Sequence, residues 1–259
     1  MLKVDLHLHT GDDPVDRIPH STAALVERAA LLGFDALAIT LHDSQFTNPR
    51  LTAYARERGI VLIPGIERTI AGRHVLLLNF DRGAAELVRS FDDLRRLKRS
   101  GDGLVIAPHP WFPGGSCLRA ALDAHADLFD AVEWSYFWTG GLNFNARAAR
   151  WARSHGKPVV GNSDLHVLRQ LGRTYSLVDA PADASAICEA IRQGRVQLHT
   201  EPVPPLELSD VLGRMFLRSR NGERRQPSPE AAPAQAPCRT FAVPFARSGS
   251  SRSSRLSPS

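Results

Sequence analysis

Residues 5–9 read Asp-Leu-His-Leu-His, and the fold turns on how they are read. Successive side chains of an extended strand point to opposite faces. Asp5, His7 and His9 therefore share one face, and Leu6 and Leu8 the other. Three titratable groups on one face of a strand, at the head of an apolar-rich chain, need a partner that makes them worth burying.

Working outward, aliphatic or β-branched runs recur at residues 3–6, 36–40, 61–65, 75–80, 104–107, 131–134 and 158–161. Amphipathic stretches separate most of them, at 22–32, 51–58, 84–98, 118–124 and 143–154, with another at 184–193. Repeated βα units predict a largely parallel sheet, open or closed into a barrel. At 259 residues and 43% hydrophobic, the chain is long enough for one barrel-sized domain.

The unusual polar residues fall at the ends of these strands. His7 and His9 end the first, His42 follows the second (AITLHD), and Glu67 ends the third (LIPGIE). His109 follows the fifth (VIAPHP), Glu133 ends the sixth, and Asp164 and His166 follow the seventh (VVGNSDLH). Active sites of parallel α/β folds assemble at this rim. His74 begins a strand instead, but a hairpin with Gly72 in its bend would return it to the rim beside Glu67. Any one of these residues alone reads as a core histidine or a helix cap. Together, buried imidazoles and carboxylates carry a desolvation cost that metal coordination removes. The set holds no cysteine, which favours zinc, manganese or iron over a thiolate site. It is also too large for one tetrahedral ion, so two or three divalent ions are expected.

In order, DLHLHT, AITLHD, LIPGIE, IAPHP and GNSDLH resemble the motifs of the PHP (polymerase and histidinol phosphatase) family. The resemblance spans roughly residues 2–200 and ends at AICEAIRQGRV, which is similar to that family's closing helix. It implies an α/β fold, a distorted seven-stranded (β/α) barrel of PHP type, with a trinuclear metal centre. Carried over by position, His7, His9, Glu67 and Asp164 hold the first ion. Glu67 bridges to a second ion held by His74 and His109. A third takes His42, His166 and an aspartate from the loop after the first strand. Asp12, Asp13 and Asp16 are available there, and Asp16 is preferred because it lies closest to the helix beginning near Ser21. The chain departs from the family pattern at Pro14, where an aspartate is usual, at Leu41, and at Leu76, two residues from His74 on the same face.

The resemblance also implies hydrolysis of a phosphate ester, of a small phosphorylated metabolite or a nucleotide, by a metal-activated water. No GxSxG elbow is present, in keeping with the absence of a protein nucleophile. Asp5 is a candidate acceptor for an imidazole N–H. Arg173, Arg68 and Arg17 are candidate phosphate clamps. Trp111, Phe112, Tyr136 and Trp138 offer base-stacking surfaces or ordinary packing. The alternatives are 5′–3′ exonuclease-like action on an oligonucleotide, histidinol-phosphate phosphatase activity, amidohydrolase-type C–N hydrolysis, and a non-catalytic module. Glu67, and His166 two residues after Asp164, favour the phosphoesterase over the amidohydrolase.

The net charge of +5 does not by itself point to nucleic acid, because a surplus of +4 lies from residue 201 onward. Residues 206–259, rich in proline, arginine and serine, are expected to form a disordered tail behind a domain at 1–205, with a short helix at 210–218. Three scattered cysteines, no signal-peptide pattern and no membrane-length apolar run predict a cytoplasmic protein without a membrane partner.

Overall fold

A computed structural model of the chain describes residues 1–219. The expected tail lies outside the described residues from 220 onward. Strand β1 (Leu2–Leu8) leads to α1 (Thr22–Leu31), β2 (Ala36–Ile39), α2 (Pro49–Glu57) and β3 (Val61–Ile70). Then come β4 (Arg73–Leu78), α3 (Arg82–Leu87), α4 (Phe91–Ser100), β5 (Leu104–Ala107) and α5 (Ala120–Ala124). The remainder is β6 (Ala131–Ser135), α6 (Asn145–Ser154), β7 (Val159–Asn162), β8 (Thr174–Val178), α7 (Ala184–Arg192), β9 (Val196–Thr200) and α8 (Pro205–Ser219).

Among the described residues the sheet has nine strands in the order β7-β6-β5-β4-β3-β2-β1-β8-β9, two more than the seven expected. β1, β2 and β3 run parallel, as do β5, β6 and β7, while β4 and β8 are reversed. The two unforeseen strands are β8 and β9. In β8 the buried positions are Thr174, Ser176 and Val178, so polar side chains occupy the inward half of the alternation and hide the usual signal. The helix expected over 84–98 is two helices. Ser90 breaks it as an N-cap, its hydroxyl accepting from the Asp93 amide while Asp93 accepts from the Ser90 amide.

β3 and β4 form the expected hairpin. Ala71 and Gly72 occupy the left-handed region at φ 48° and 74°, as a tight two-residue turn requires. Thr69 pairs with His74 across it.

The sheet is nearly closed where β7 meets β8. The Gly161 amide donates to Ser176 Oγ at 2.8 Å, and that hydroxyl donates to the Gly161 carbonyl at 3.2 Å. A Cβ on Gly161 would stand 2.6 Å from the Tyr175 carbonyl oxygen and 2.5 Å from Leu198. Gly161→Ala is therefore expected to cost about 1–3 kcal/mol by overpacking. An unchanged thermal midpoint would contradict this account of the seam.

A buried apolar cluster draws on β1 through β8 and includes Ile187, Cys188, Ala190 and Ile191 of α7. Two further clusters lie beneath the other helices, one holding Leu25 and Ala55 of α1 and α2, the other Leu94 and Trp151 of α4 and α6. α8 begins at the boundary expected for the tail and continues past it. Its Leu208 and Val211 are buried with Tyr136, Phe137 and Val203. No helix among the described residues is long and apolar enough to cross a membrane.

Candidate metal centre

Glu67, at the outer end of the β2–β3 pairing, is the hub. One of its oxygens, Oε2, lies 3.3 Å from His7 Nε2, 3.3 Å from His9 Nε2 and 3.2 Å from His42 Nε2. Oε1 lies 2.7 Å from His74 Nδ1 and 3.2 Å from His109 Nε2. Asp164 closes the first group, its Oδ1 standing 3.4 Å from His7 Nε2 and 3.5 Å from His9 Nε2. Both Nε2 atoms are buried and without a hydrogen-bond partner.

Those atoms suit a metal ion. Zinc–ligand bonds of about 2.0–2.1 Å place tetrahedral ligand atoms about 3.3 Å apart, which matches the observed 3.3–3.5 Å spacings. Buried polar atoms left without partners are otherwise costly. Three of the groupings are His7, His9 and Asp164; His9, Asp13 and His42; and His42, Glu67 and His74.

The outer ring nitrogens are held by other residues. His7 Nδ1 donates to Glu133 Oε1 at 2.8 Å. Glu133 also accepts from Asn162 Nδ2 at 3.0 Å and from the His109 amide at 2.8 Å. Its oxygens are thus occupied, and its part is to orient His7 and the His109 backbone, although it also lies within ligand range of both imidazoles. Asp13 Oδ2 accepts from His9 Nδ1 at 2.9 Å and His42 Nδ1 at 3.0 Å. His166 Nδ1 donates to the Asp164 carbonyl at 2.9 Å, which directs Nε2 towards Asp16 Oδ2 at 3.3 Å. Asp16, the preferred loop aspartate, thus meets His166, while Asp13 meets His42. Asp5 holds no imidazole: its carboxylate accepts from the Ser163 and His7 amides at 3.1 and 3.4 Å. Glu133 and Asp13 fill the role expected of it. The polar end of the sixth strand signalled Glu133, but only the fold shows what it touches.

His109 and Asp164 both adopt left-handed backbone, at φ 28° and 46°. That conformation is uncommon for residues bearing a Cβ, and it accumulates at functional sites.

The charges are strongly coupled. Burial works against protonation of His7, but Asp164, Glu133 and Glu67 outweigh it and hold the imidazole protonated up to about 10. His9 and His109 are likewise raised well above the ordinary histidine value, against burial, by hydrogen bonds and carboxylates around them. In turn, and again against burial, the imidazoles hold Glu67 and Asp164 below the usual carboxylate range. Burial lifts Asp5 to about 7. Protons thus neutralise the metal-free cluster where a divalent cation would replace them.

The expected arginines are dispersed. Arg68 points away from Glu67, as strand alternation requires. It is buried, donating to the Val88 carbonyl at 2.6 Å and to Asp43 at 2.7 Å. Arg173 reaches Glu207 of α8 at 3.2 Å. Arg17 is exposed and borders a narrow gap beside Asp16 and His166. Of the aromatics, Tyr136 is fully buried with its hydroxyl on Glu207, and Trp138 donates to Thr200. Phe112 approaches His109 with ring centroids 6.4 Å apart.

A nearly closed barrel carrying such a rim defines a class of folds compatible with divalent-metal hydrolases. Residues 143–196 match a family model described as PHP-associated. A two-domain protein from Bacteroides vulgatus, containing a predicted PHP-like metal-dependent phosphoesterase, is 22% identical with a TM-score of 0.58, over 84% of this chain and 69% of that one. An amidohydrolase from Chromobacterium violaceum is 18% identical with a TM-score of 0.51, over 82% and 96% of the two chains. The lesion-specific endonuclease Q of Pyrococcus furiosus is 17% identical with a TM-score of 0.51, over 76% and 57%. At these identities the likeness is one of fold. No curated protein matches the chain. The chain thus carries a PHP-associated segment within a fold it shares with a protein containing a predicted PHP-like phosphoesterase.

Proposed function

We propose that the chain hydrolyses a phosphate ester of a small phosphorylated metabolite or nucleotide, using two or three divalent ions of manganese, zinc or iron. The observation that carries this reading is the pair of buried Nε2 atoms of His7 and His9, which make no hydrogen bond and stand at ligand spacing from Glu67 and Asp164. In this reading His7, His9, Glu67 and Asp164 hold one ion, and Glu67 Oε1 with His74 and His109 holds a second. His42, His166 and Asp16 hold a third. Bound ions would acidify an attacking water and neutralise phosphoryl oxygens.

The protein's own contribution is positional. Glu133 and Asp13 fix which ring nitrogen of His7, His9 and His42 faces inward. Glu67 shares one charge among five imidazoles. Arg17 stands on the substrate side, while Arg173 acts through Glu207 and Arg68 through the Asp43 loop that follows His42. The free, buried thiols of Cys117 and Cys188 support a cytoplasmic setting.

The test is phosphate release by Mn²⁺-loaded protein against an Asp164→Asn variant. Suitable substrates are p-nitrophenyl phosphate, a nucleoside 3′,5′-bisphosphate, histidinol phosphate and a 5′-phosphorylated oligonucleotide. Turnover by the wild type and a loss of at least about a hundredfold in the variant are expected, since removing a single charge-stabilising group commonly costs that much. Silence of a metal-loaded wild type across the panel, with cleavage of an amide or amidine instead, would move the assignment to C–N hydrolysis.

A further inference from the structure

The helix α8 begins where the tail was expected, yet it is fastened to the rim of the candidate centre. Leu208, Val211 and Met215 follow helical spacing. The first two are buried with Tyr136 and Phe137, and Met215 packs against the same cluster as Val167, the neighbour of His166. The adjacent face is polar. Glu207 accepts from the Tyr136 hydroxyl at 2.8 Å and from Arg173 at 3.2 Å. One turn on, Asp210 pairs with Arg169 and accepts from Arg214 Nε at 3.0 Å.

This arrangement divides the arginines into two kinds. Arg169 and Arg173, the cations nearest the last metal motif in sequence, are occupied in holding α8. Arg214 is held through Nε alone, and its Nη groups make no hydrogen bond to a described residue. Its side chain is half exposed. It shares with Arg17, Asp16 and His166 the lining of one narrow gap, about 10 Å³ in volume, room for roughly a single water. Two arginines therefore line the gap at the edge of the centre formed by His166 and Asp16, and one of them comes from a helix outside the expected domain.

We propose that α8 completes the active site and that Arg214, with Arg17, binds the phosphoryl oxygens of the substrate. The proposal rests on the phosphoester reading and names the residues that grip the substrate's charge. A guanidinium fixed at Nε by a carboxylate keeps its remaining donors in a planar fork, and that fork matches two phosphoryl oxygens. Arg214 is then a substrate-contact residue, Asp210 and Glu207 are positioning residues, and α8 is part of the enzyme domain.

The experiment uses full-length, Mn²⁺-loaded protein and compares wild type, Arg214→Ala and Arg214→Lys. It measures kcat and KM for p-nitrophenyl phosphate and the binding of inorganic phosphate by calorimetry. Arg214→Ala should raise KM and the phosphate dissociation constant about tenfold, with kcat changed less than twofold. Arg214→Lys should recover part of the loss. A merely structural role would instead lower kcat or the thermal midpoint and leave phosphate affinity alone. Equal phosphate affinity in wild type and Arg214→Ala overturns the proposal while leaving the phosphoester reading intact. Phosphate binding that depends on Arg214 in a protein that hydrolyses no phosphate ester would retain the anion site and overturn that reading. A wild type that binds no phosphate overturns the proposal outright.

Discussion

Glu67→Gln is expected to lower phosphate release at least a thousandfold and to strip bound metal from the protein. No other side chain in the centre touches as many ligands: Oε2 lies within 3.3 Å of His7, His9 and His42, and Oε1 within 3.2 Å of His74 and His109. The amide keeps the size of the carboxylate but loses its charge and turns one acceptor into a donor. Removing one member of a buried charged set costs about 3–5 kcal/mol, because the others are left uncompensated. A thousandfold loss in rate corresponds to about 4 kcal/mol. Metal content by elemental analysis and initial rates at saturating Mn²⁺ would be read together. A variant with full metal content and undiminished turnover would refute the hub role of Glu67.

Adding a divalent metal is expected to raise the thermal midpoint strongly, and more so at pH 8.5 than at pH 6. In the metal-free fold His7 is held protonated up to about 10, against an ordinary value of 6.5. A raised folded-state value means that the stabilisation is complete below pH 6.5 and is lost as the pH climbs towards 10. Glu67 and Asp164 are shifted the opposite way, from ordinary values of 4.5 and 3.8. Their stabilisation is present above that range and is lost in acid. The metal-free protein should thus be most stable between about pH 4.5 and 6.5. Metal ligation needs the imidazoles neutral, so binding releases protons and strengthens with pH. At a thousandfold excess over Kd, one ion contributes about 4 kcal/mol, or about 8–16 °C in a domain of this size. A chelator should reverse the shift. Equal shifts at the two pH values, or none, would show that these imidazoles do not exchange protons for metal.

The site was more legible in the sequence than the strand count. HxH on one strand, a carboxylate at the end of another and SDLH after a third betray themselves by spacing, because a rim collects strand ends whatever closes the sheet. The structure gathers His7, His9, His42, Glu67, His74, His109 and Asp164 around one point, and sets Asp16 against His166 at its edge. β8 was not legible, because its inward positions carry Thr174 and Ser176, which bond to other strands instead of forming an apolar stripe. Arg68 does not face the centre for a local reason: adjacency to Glu67 in sequence puts it on the opposite face of the strand, towards Val88 and Asp43. The positioning roles of Glu133 and Asp13 depend on contacts between residues up to 126 positions apart, which periodicity cannot reveal. The helix expected at 210–218 lies within α8, but its start at Pro205 and its seating against Tyr136 through Leu208 and Val211 were hidden, because the composition there resembles a tail.

The two-residue turn between β3 and β4 also bears on the order in which the chain matures. Glu67 and His74 are seven positions apart and are joined by the tightest connection a sheet allows, so bringing them together costs little chain entropy. His7, His9 and His42 also precede residue 75, whereas Asp164 meets His7 only after a loop of more than 150 residues has closed. Synthesis delivers the early group first. A nascent chain therefore carries most of one ion's cradle long before the seam at Gly161 can form, and an ion caught there would favour the slow, long-range closure that follows.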